Sequence, residues 1–141
     1  MYAIQTANSF VNLNGYGSVS VSAKPVTYRT VAAANEAMAT AVAEMNRVIT
    51  NYTRYADNEQ AKVDKAHKDI ARLTAKLAEL VELPYKDAVR KVETTQQAIR
   101  NAKWYLESNS IRSYRREVAR LSKVLEQGVK VVKLQTQTVD I

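Results

Sequence analysis

The hydrophobic positions follow two rhythms, and the change between them falls near residue 30. Before it, short apolar runs alternate with turn residues. Tyr2-Ala3-Ile4-Gln5-Thr6 reads as a strand, Ala7-Asn8-Ser9 as a turn, and Phe10-Val11-Asn12-Leu13 as the returning arm of a hairpin. Asn14-Gly15-Tyr16-Gly17 is the clearest turn signal, because Asn-Gly supplies the positive φ that a tight reversal needs. Val19-Ser20-Val21-Ser22 alternates apolar and polar with period two, the pattern of a half-buried strand. Pro25 interrupts, and Val26-Thr27-Tyr28 predicts another short strand.

From Val31 the spacing changes to threes and fours. Val31, Ala34, Met38, Ala41, Met45, Val48, Tyr52 and Tyr55 form one apolar stripe. Val63, Ala66, Ile70, Leu73, Leu77 and Leu80 continue in the strict 3-4 alternation of a coiled-coil seam. The two runs are out of phase by about four residues, which places a stutter near Ala56-Asp57-Asn58-Glu59. No proline or glycine intervenes, so one long helix over 31–83 is predicted. Pro84 ends or kinks it, since proline lacks an N–H and its ring clashes with the preceding turn.

A second helix over 85–107 presents Val89, Val92, Ile99, Ala102 and Leu106, and Ser108-Asn109-Ser110 is a cap-like cluster. A third helix turns Ile111, Tyr114, Val118, Leu121 and Leu125 inward, with Gly128 at the position of a C-terminal cap. The β-branched run over 129–139 predicts a last strand. An unbroken helix over 31–83 spans about 80 Å, and the two helices over 85–127 about 60–65 Å together. If Pro84 marks a hairpin, the last strand returns to the first ones. The predicted fold is α+β and mostly α, in a single domain. It is a long antiparallel helical hairpin or coiled coil projecting as a stalk, with a small antiparallel sheet built from the N- and C-terminal strands.

Composition narrows the setting. Apolar residues make up 46% of the 141, enough for a real core. No stretch approaches the roughly 18 uncharged apolar residues of a membrane helix. Met1-Tyr2-Ala3-Ile4-Gln5-Thr6 lacks the basic and apolar regions of a secretion signal. A soluble, unexported, cytoplasmic protein is expected, with no membrane partner. The absence of cysteine removes disulfides, thiolate nucleophiles and thiolate metal sites together. The net charge of +7 is uneven: residues 1–30 carry +2, residues 31–83 carry −1 and residues 84–141 carry +6. A polyanion or an acidic protein surface would be met by the C-terminal part.

Catalysis finds little support. His67, flanked by Asp64 and Asp69, offers at most two ligands on one helix face, fewer than a metal site needs. No serine stands in a nucleophile-elbow pattern, and Gly15-Tyr16-Gly17 lacks the third glycine, the lysine and the following helix of a phosphate loop. We expect no enzyme, no cofactor and no metal. The most suggestive constellation is basic and aromatic: Arg100, Lys103, Trp104, Arg112, Arg115, Arg116, Arg120 and Lys123. Arg112, Arg116, Arg120 and Lys123 recur every three or four residues on one helix face, where guanidinium groups fork onto phosphates and nearby aromatics stack on bases. The competing reading is a solvated outer face whose aromatics, including Tyr105 and Tyr114, pack inward. Tyr52, Tyr55, Val63, Ile70, Leu73 and Leu77 are the candidate protein-contact residues; packing within the chain competes there with pairing between copies.

The opening Met-Tyr-Ala-Ile-Gln-Thr, the glycine-containing turn and Val26-Thr27-Tyr28-Arg29-Thr30 leading into an alanine-rich helix resemble small accessory proteins of tailed bacteriophages. The resemblance covers about a third of the chain. It implies a β-hairpin followed by a helix, and a protein that binds and modulates a host factor in the host cytoplasm or serves in assembly. It carries over no functional residue. The leading functional expectation is therefore a non-catalytic interaction or assembly protein that binds itself, as a homo-oligomer, or another protein. The alternative is a nucleic-acid-binding protein that uses the basic face over 100–123.

Overall fold

The structure, a computed structural model, describes residues 1–82 and 86–135. In chain order the elements are β1 (Tyr2–Thr6), β2 (Ser9–Leu13), β3 (Val19–Ser22), α1 (Val31–Val81), α2 (Lys86–Ser108), α3 (Ile111–Gln127) and β4 (Lys130–Lys133). The chain is mostly helical with one small antiparallel sheet, as the hydrophobic pattern predicts. It divides into two compact units, Met1–Thr53 with Arg116–Ile141, and Arg54–Arg115.

The first unit carries the sheet, in the order β3-β2-β1-β4 with every pairing antiparallel. β1 and β2 meet at Gln5–Phe10 and Thr6–Ser9 across the two-residue turn Ala7-Asn8. Ala7 sits at φ 45°, a left-handed conformation that costs a residue with a Cβ about 1 kcal/mol. Past Gln5 the partner of β1 changes: Tyr2 and Tyr28 exchange both backbone hydrogen bonds at 2.8 Å. The strand predicted at 26–28 is thus a single bridge. The cause lies in Asn12, whose side chain takes the Lys24 carbonyl at 2.8 Å and the Val26 N–H at 2.9 Å, holding the segment around Pro25 out of a ladder. The next turn also departs in detail from its prediction. Asn14 accepts the N–H groups of Tyr16 and Ser18, but the positive φ (+83°) belongs to Gly17, not to Gly15.

β4 pairs with β1 from Tyr2–Lys133 to Gln5–Lys130, so the C-terminal strand does join the N-terminal ones. The predicted run of 129–139 is realised as Lys130–Lys133, and its residues 136–139 lie outside the described ones. Alternation along the strands turns Ile4 and Val11 to one face, where Ala41 and Met45 of α1 and Leu121 and Val124 of α3 close the core. Ala34 and Ala41 are fully buried, and their small side chains let α1 approach closely. Buried Thr6 donates its hydroxyl hydrogen to the Val124 carbonyl (3.4 Å), one of the last four carbonyls of α3 that the helix itself leaves unpaired.

α1 starts at a Thr30 cap, whose hydroxyl oxygen accepts the Ala33 N–H at 3.1 Å, and it runs unbroken through the predicted stutter. The second unit contains the distal part of α1, all of α2 and the first turn of α3. Glu59 bonds to Tyr105, while Lys76 shares a cavity with Arg90, Lys91, Thr94 and Thr95, so α1 and α2 run antiparallel there. This is the predicted hairpin; Pro84 itself lies outside the described residues. Among the described residues of the unit, Ala56, Ala66, Leu80, Ala88, Thr95 and Ile111 are buried. The stutter residue Ala56 fits inside because it is small.

Asn109 joins two helices. Its amide donates to the Leu106 carbonyl (2.9 Å) at the end of α2, and its oxygen accepts the Ile111 N–H (3.2 Å) at the start of α3. Asn109→Ala should cost about 1 kcal/mol, read as a lowered urea midpoint. Gly128 caps α3 at φ +87° with its N–H on the Leu125 carbonyl, and an added Cβ there would touch nothing within 4 Å. Gly128→Ala should therefore lose about 1 kcal/mol through backbone conformation alone. Gly128→Asn should lose less, because asparagine tolerates the left-handed region better.

Candidate functional site

The boundary between the two units falls between Arg115 and Arg116 and divides the basic constellation. In the helical unit, Arg100 donates to Gln97 at 2.8 Å, and Gln97 in turn donates to Asn101, which ties the guanidinium to its own helix. Arg115 reaches from α3 to Gln60 of α1 at 3.2 Å. Arg112 and Lys103 are exposed and have no hydrogen bond or ion pair among the described residues. In the sheet-bearing unit, Arg120 clamps Glu117 with two bonds of 3.0 and 2.5 Å, while Arg116 and Lys123 are exposed without such a partner among the described residues. The Arg120 hydrogen bonds hold the Glu117 carboxyl below the usual carboxylate range and raise Arg120 further. A clamped arginine is a poorer phosphate ligand, because binding would first have to break the internal pair. Arg100, Arg115 and Arg120 are already engaged in this way.

The aromatic neighbours separate. Trp104 is 68% exposed on α2 and points away from the core. Tyr105 and Tyr114 turn inward, as the solvated-face reading expects of aromatics, and Tyr114 stacks at a tilt on Tyr55, centroids 5.6 Å apart. Tyr105 donates its hydroxyl to Glu59 across the α1–α2 hairpin. Burial and the facing carboxylate together push the phenol up to about 12, and the same hydrogen bond depresses Glu59.

The candidate protein-contact residues are only partly covered. Val63, Ile70, Leu73 and Leu77 are half-buried, whereas their seam neighbours Ala66 and Leu80 are buried. Tyr55 lies beneath the Arg54 guanidinium at 5.6 Å. Tyr52 belongs to the other unit, where it lines a cavity with Glu44, Arg47 and Glu117; Arg47 and Arg120 clamp the two carboxylates. His67 is exposed, and among the described residues no group of three metal-ligating side chains assembles. No described helix is long and apolar enough to cross a membrane.

Sequence reasoning missed a second basic cluster. Lys76 of α1 and Arg90, Lys91, Thr94 and Thr95 of α2 line one cavity of about 380 Å³ in the helical unit. The signal was present: folding the chain at Pro84 brings position 76 opposite positions 90–95. No protein-family model, no curated protein and no solved structure matches the chain.

The Tyr105–Glu59 bond sets two pH windows. Between pH 10, the ordinary tyrosine value, and about 12 the unfolded chain gives up this phenolic proton while the folded chain keeps it. Stability should fall as pH rises through that window, and Tyr105→Phe should remove that part of the fall. Glu59 works in the opposite direction: its contribution is complete above the usual carboxylate range and is lost as pH falls through its depressed value. Absorbance titration of the phenolates, with Tyr105→Phe as reference, checks the first point.

Proposed function

We propose that this chain is a non-catalytic interaction protein, an assembly or accessory factor, whose contact surface is the helical unit Arg54–Arg115 and whose first partner is a second copy of itself. The observation that carries this reading is the half-covered seam. Val63, Ile70, Leu73 and Leu77 repeat at 3-4 spacing, yet their own chain buries them only in part. Val81, Val89 and Trp104 of the same unit are exposed as well. Fully burying such a side chain contributes about 1.5–3 kcal/mol, so completing the burial of the four seam residues contributes about 3–6 kcal/mol. Association costs an estimated 4–15 kcal/mol in lost translational and rotational freedom. The seam alone is too small for a tight dimer. Weak, concentration-dependent association is the expected behaviour, with the exposed valines and Trp104 adding to the seam.

Sedimentation velocity over a wide concentration range tests this. The mass should rise above that of one chain, and Leu73→Gln with Leu77→Gln should weaken association by about tenfold or more at unchanged helix content. A single-chain mass at every concentration overturns self-association.

Nucleic-acid binding is the second reading, and exposed Trp104 beside exposed Lys103 is what favours it. Trp104 is the sole tryptophan, so its fluorescence reports directly on base stacking. Titration with a single-stranded oligonucleotide should quench it, with an affinity that falls steeply as salt rises. Unquenched emission at low salt removes this reading.

A further inference from the structure

We propose that Asn14 and Gly15 form a self-modifying site, at which the folded chain converts Asn14 to ordinary aspartate with water as co-reactant. This inference does not rest on the self-association proposed above. It starts from a glycine that the turn does not need. The left-handed residue of the turn is Gly17, Gly15 has no positive φ, and a Cβ added at Gly15 would meet no described atom within 4 Å. A small side chain would fit there without strain.

Glycine after asparagine has a chemical consequence instead. Without a Cβ, its nitrogen can approach the asparagine amide carbon closely. The Gly15 nitrogen gives its proton to hydroxide or a buffer base and bonds to Cγ of Asn14. The Cγ–Nδ2 bond breaks, Nδ2 takes up a proton and leaves as ammonia, and a succinimide ring remains. Water then opens the ring. Cleavage between the ring nitrogen and Cγ gives aspartate on an unchanged backbone. Cleavage between the nitrogen and the Asn14 main-chain carbonyl carbon gives isoaspartate, which threads the β-carbon into the backbone.

Two hydrogen bonds favour the reaction and select its first product. The N–H groups of Tyr16 and Ser18 both donate to Oδ1 of Asn14, each at 2.9 Å. Attack on Cγ places negative charge on that oxygen, and preorganised N–H donors stabilise it as an oxyanion hole does. The same pair polarises the Cγ carbonyl of the succinimide, which draws water to Cγ and leads to aspartate. The aspartate product keeps the turn, because its carboxylate accepts the same two N–H groups. Asn14 and Gly15 are exposed, so hydroxide and water reach them. Other asparagines lack this combination. Asn12 precedes Leu13 and holds its Nδ2 on the Lys24 carbonyl at 2.8 Å, and Asn109 precedes Ser110 and holds its Nδ2 on the Leu106 carbonyl at 2.9 Å. Asn8 is exposed, but the Cβ of Ser9 stands in the way. Inside α1 and α2 the nitrogen that would attack has its N–H in the helical ladder.

Incubation of the full chain at mildly alkaline pH tests the proposal, read by intact mass and by peptide mapping that separates aspartate from isoaspartate. The mass should rise by the difference between –OH and –NH2, at Asn14 before any other asparagine, with aspartate as the major product. Each event lowers the formal charge of +7 by one, which isoelectric focusing resolves. In strong urea the two donors are lost, and the product should shift toward isoaspartate. Gly15→Ala, which the open space accommodates, should slow the reaction about tenfold at unchanged helix content. Retention of Asn14 by the folded chain, while the urea-unfolded chain loses ammonia there, overturns the proposal. So does isoaspartate as the main product of the folded chain, or an unchanged rate in Gly15→Ala.

Discussion

The pairing of β1 with β4 is the constraint on which the sheet-bearing unit depends. It joins Tyr2 to Lys133 and Gln5 to Lys130, residues at opposite ends of the described chain. Closing so long a loop costs conformational entropy, although the cost grows only slowly with length. What offsets it is the burial of Ile4 and Val11 against Ala41, Met45, Leu121 and Val124, since the core needs one strand layer and two separate helices at once. Without β4, β1 would expose an unpaired edge. Without α3, Ile4 would lose its cover. The Thr6–Val124 bond joins the same partners with a polar group, so that the last turn of α3 is seated on β1 by both kinds of force.

The helical unit is held differently. Its buried residues are small or single, mainly alanines with Leu80, Thr95 and Ile111, so apolar area contributes less per residue there. Polar fasteners between helices stand out in compensation: Tyr105 on Glu59, Arg115 on Gln60, and Asn109 bridging the end of α2 to the start of α3. Two of them attach where the apolar stripe of α1 changes phase. Glu59 occupies a position that an uninterrupted stripe would give to an apolar side chain, and with Gln60 beside it turns the stutter into a docking point for α2 and α3. This division of labour leaves the seam residues half-covered and Trp104 outside, which gives the unit surface to offer a partner.

The basic residues illustrate how charge count and charge availability differ. By composition, the C-terminal part carries a large positive excess. By geometry, Arg100, Arg115 and Arg120 already donate to Gln97, Gln60 and Glu117. Lys76, Arg90 and Lys91, which sequence spacing assigns to different helices, are gathered around one cavity by the hairpin. Periodicity sees a face of one helix. It is blind to a cluster shared by two.

Local physics sufficed for the elements. Alternation marked β1, β2 and β3, the 3-4 spacing marked α1 through its stutter, and Ser108-Asn109-Ser110 and Gly128 marked the helix ends, because propensity, capping and periodicity act within a few residues. Tertiary contacts decided the rest. Asn12, from β2, reduced the predicted strand at 26–28 to one bridge, and Gly17 rather than Gly15 took the positive φ because Asn14 organised a longer turn than Asn-Gly alone suggests. The outward Trp104, the inward Tyr105 and the burial of Thr95 were likewise settled by what faces each helix. A side chain's neighbours along the chain determine its backbone. Its neighbours across the fold determine whether it is core, fastener or site.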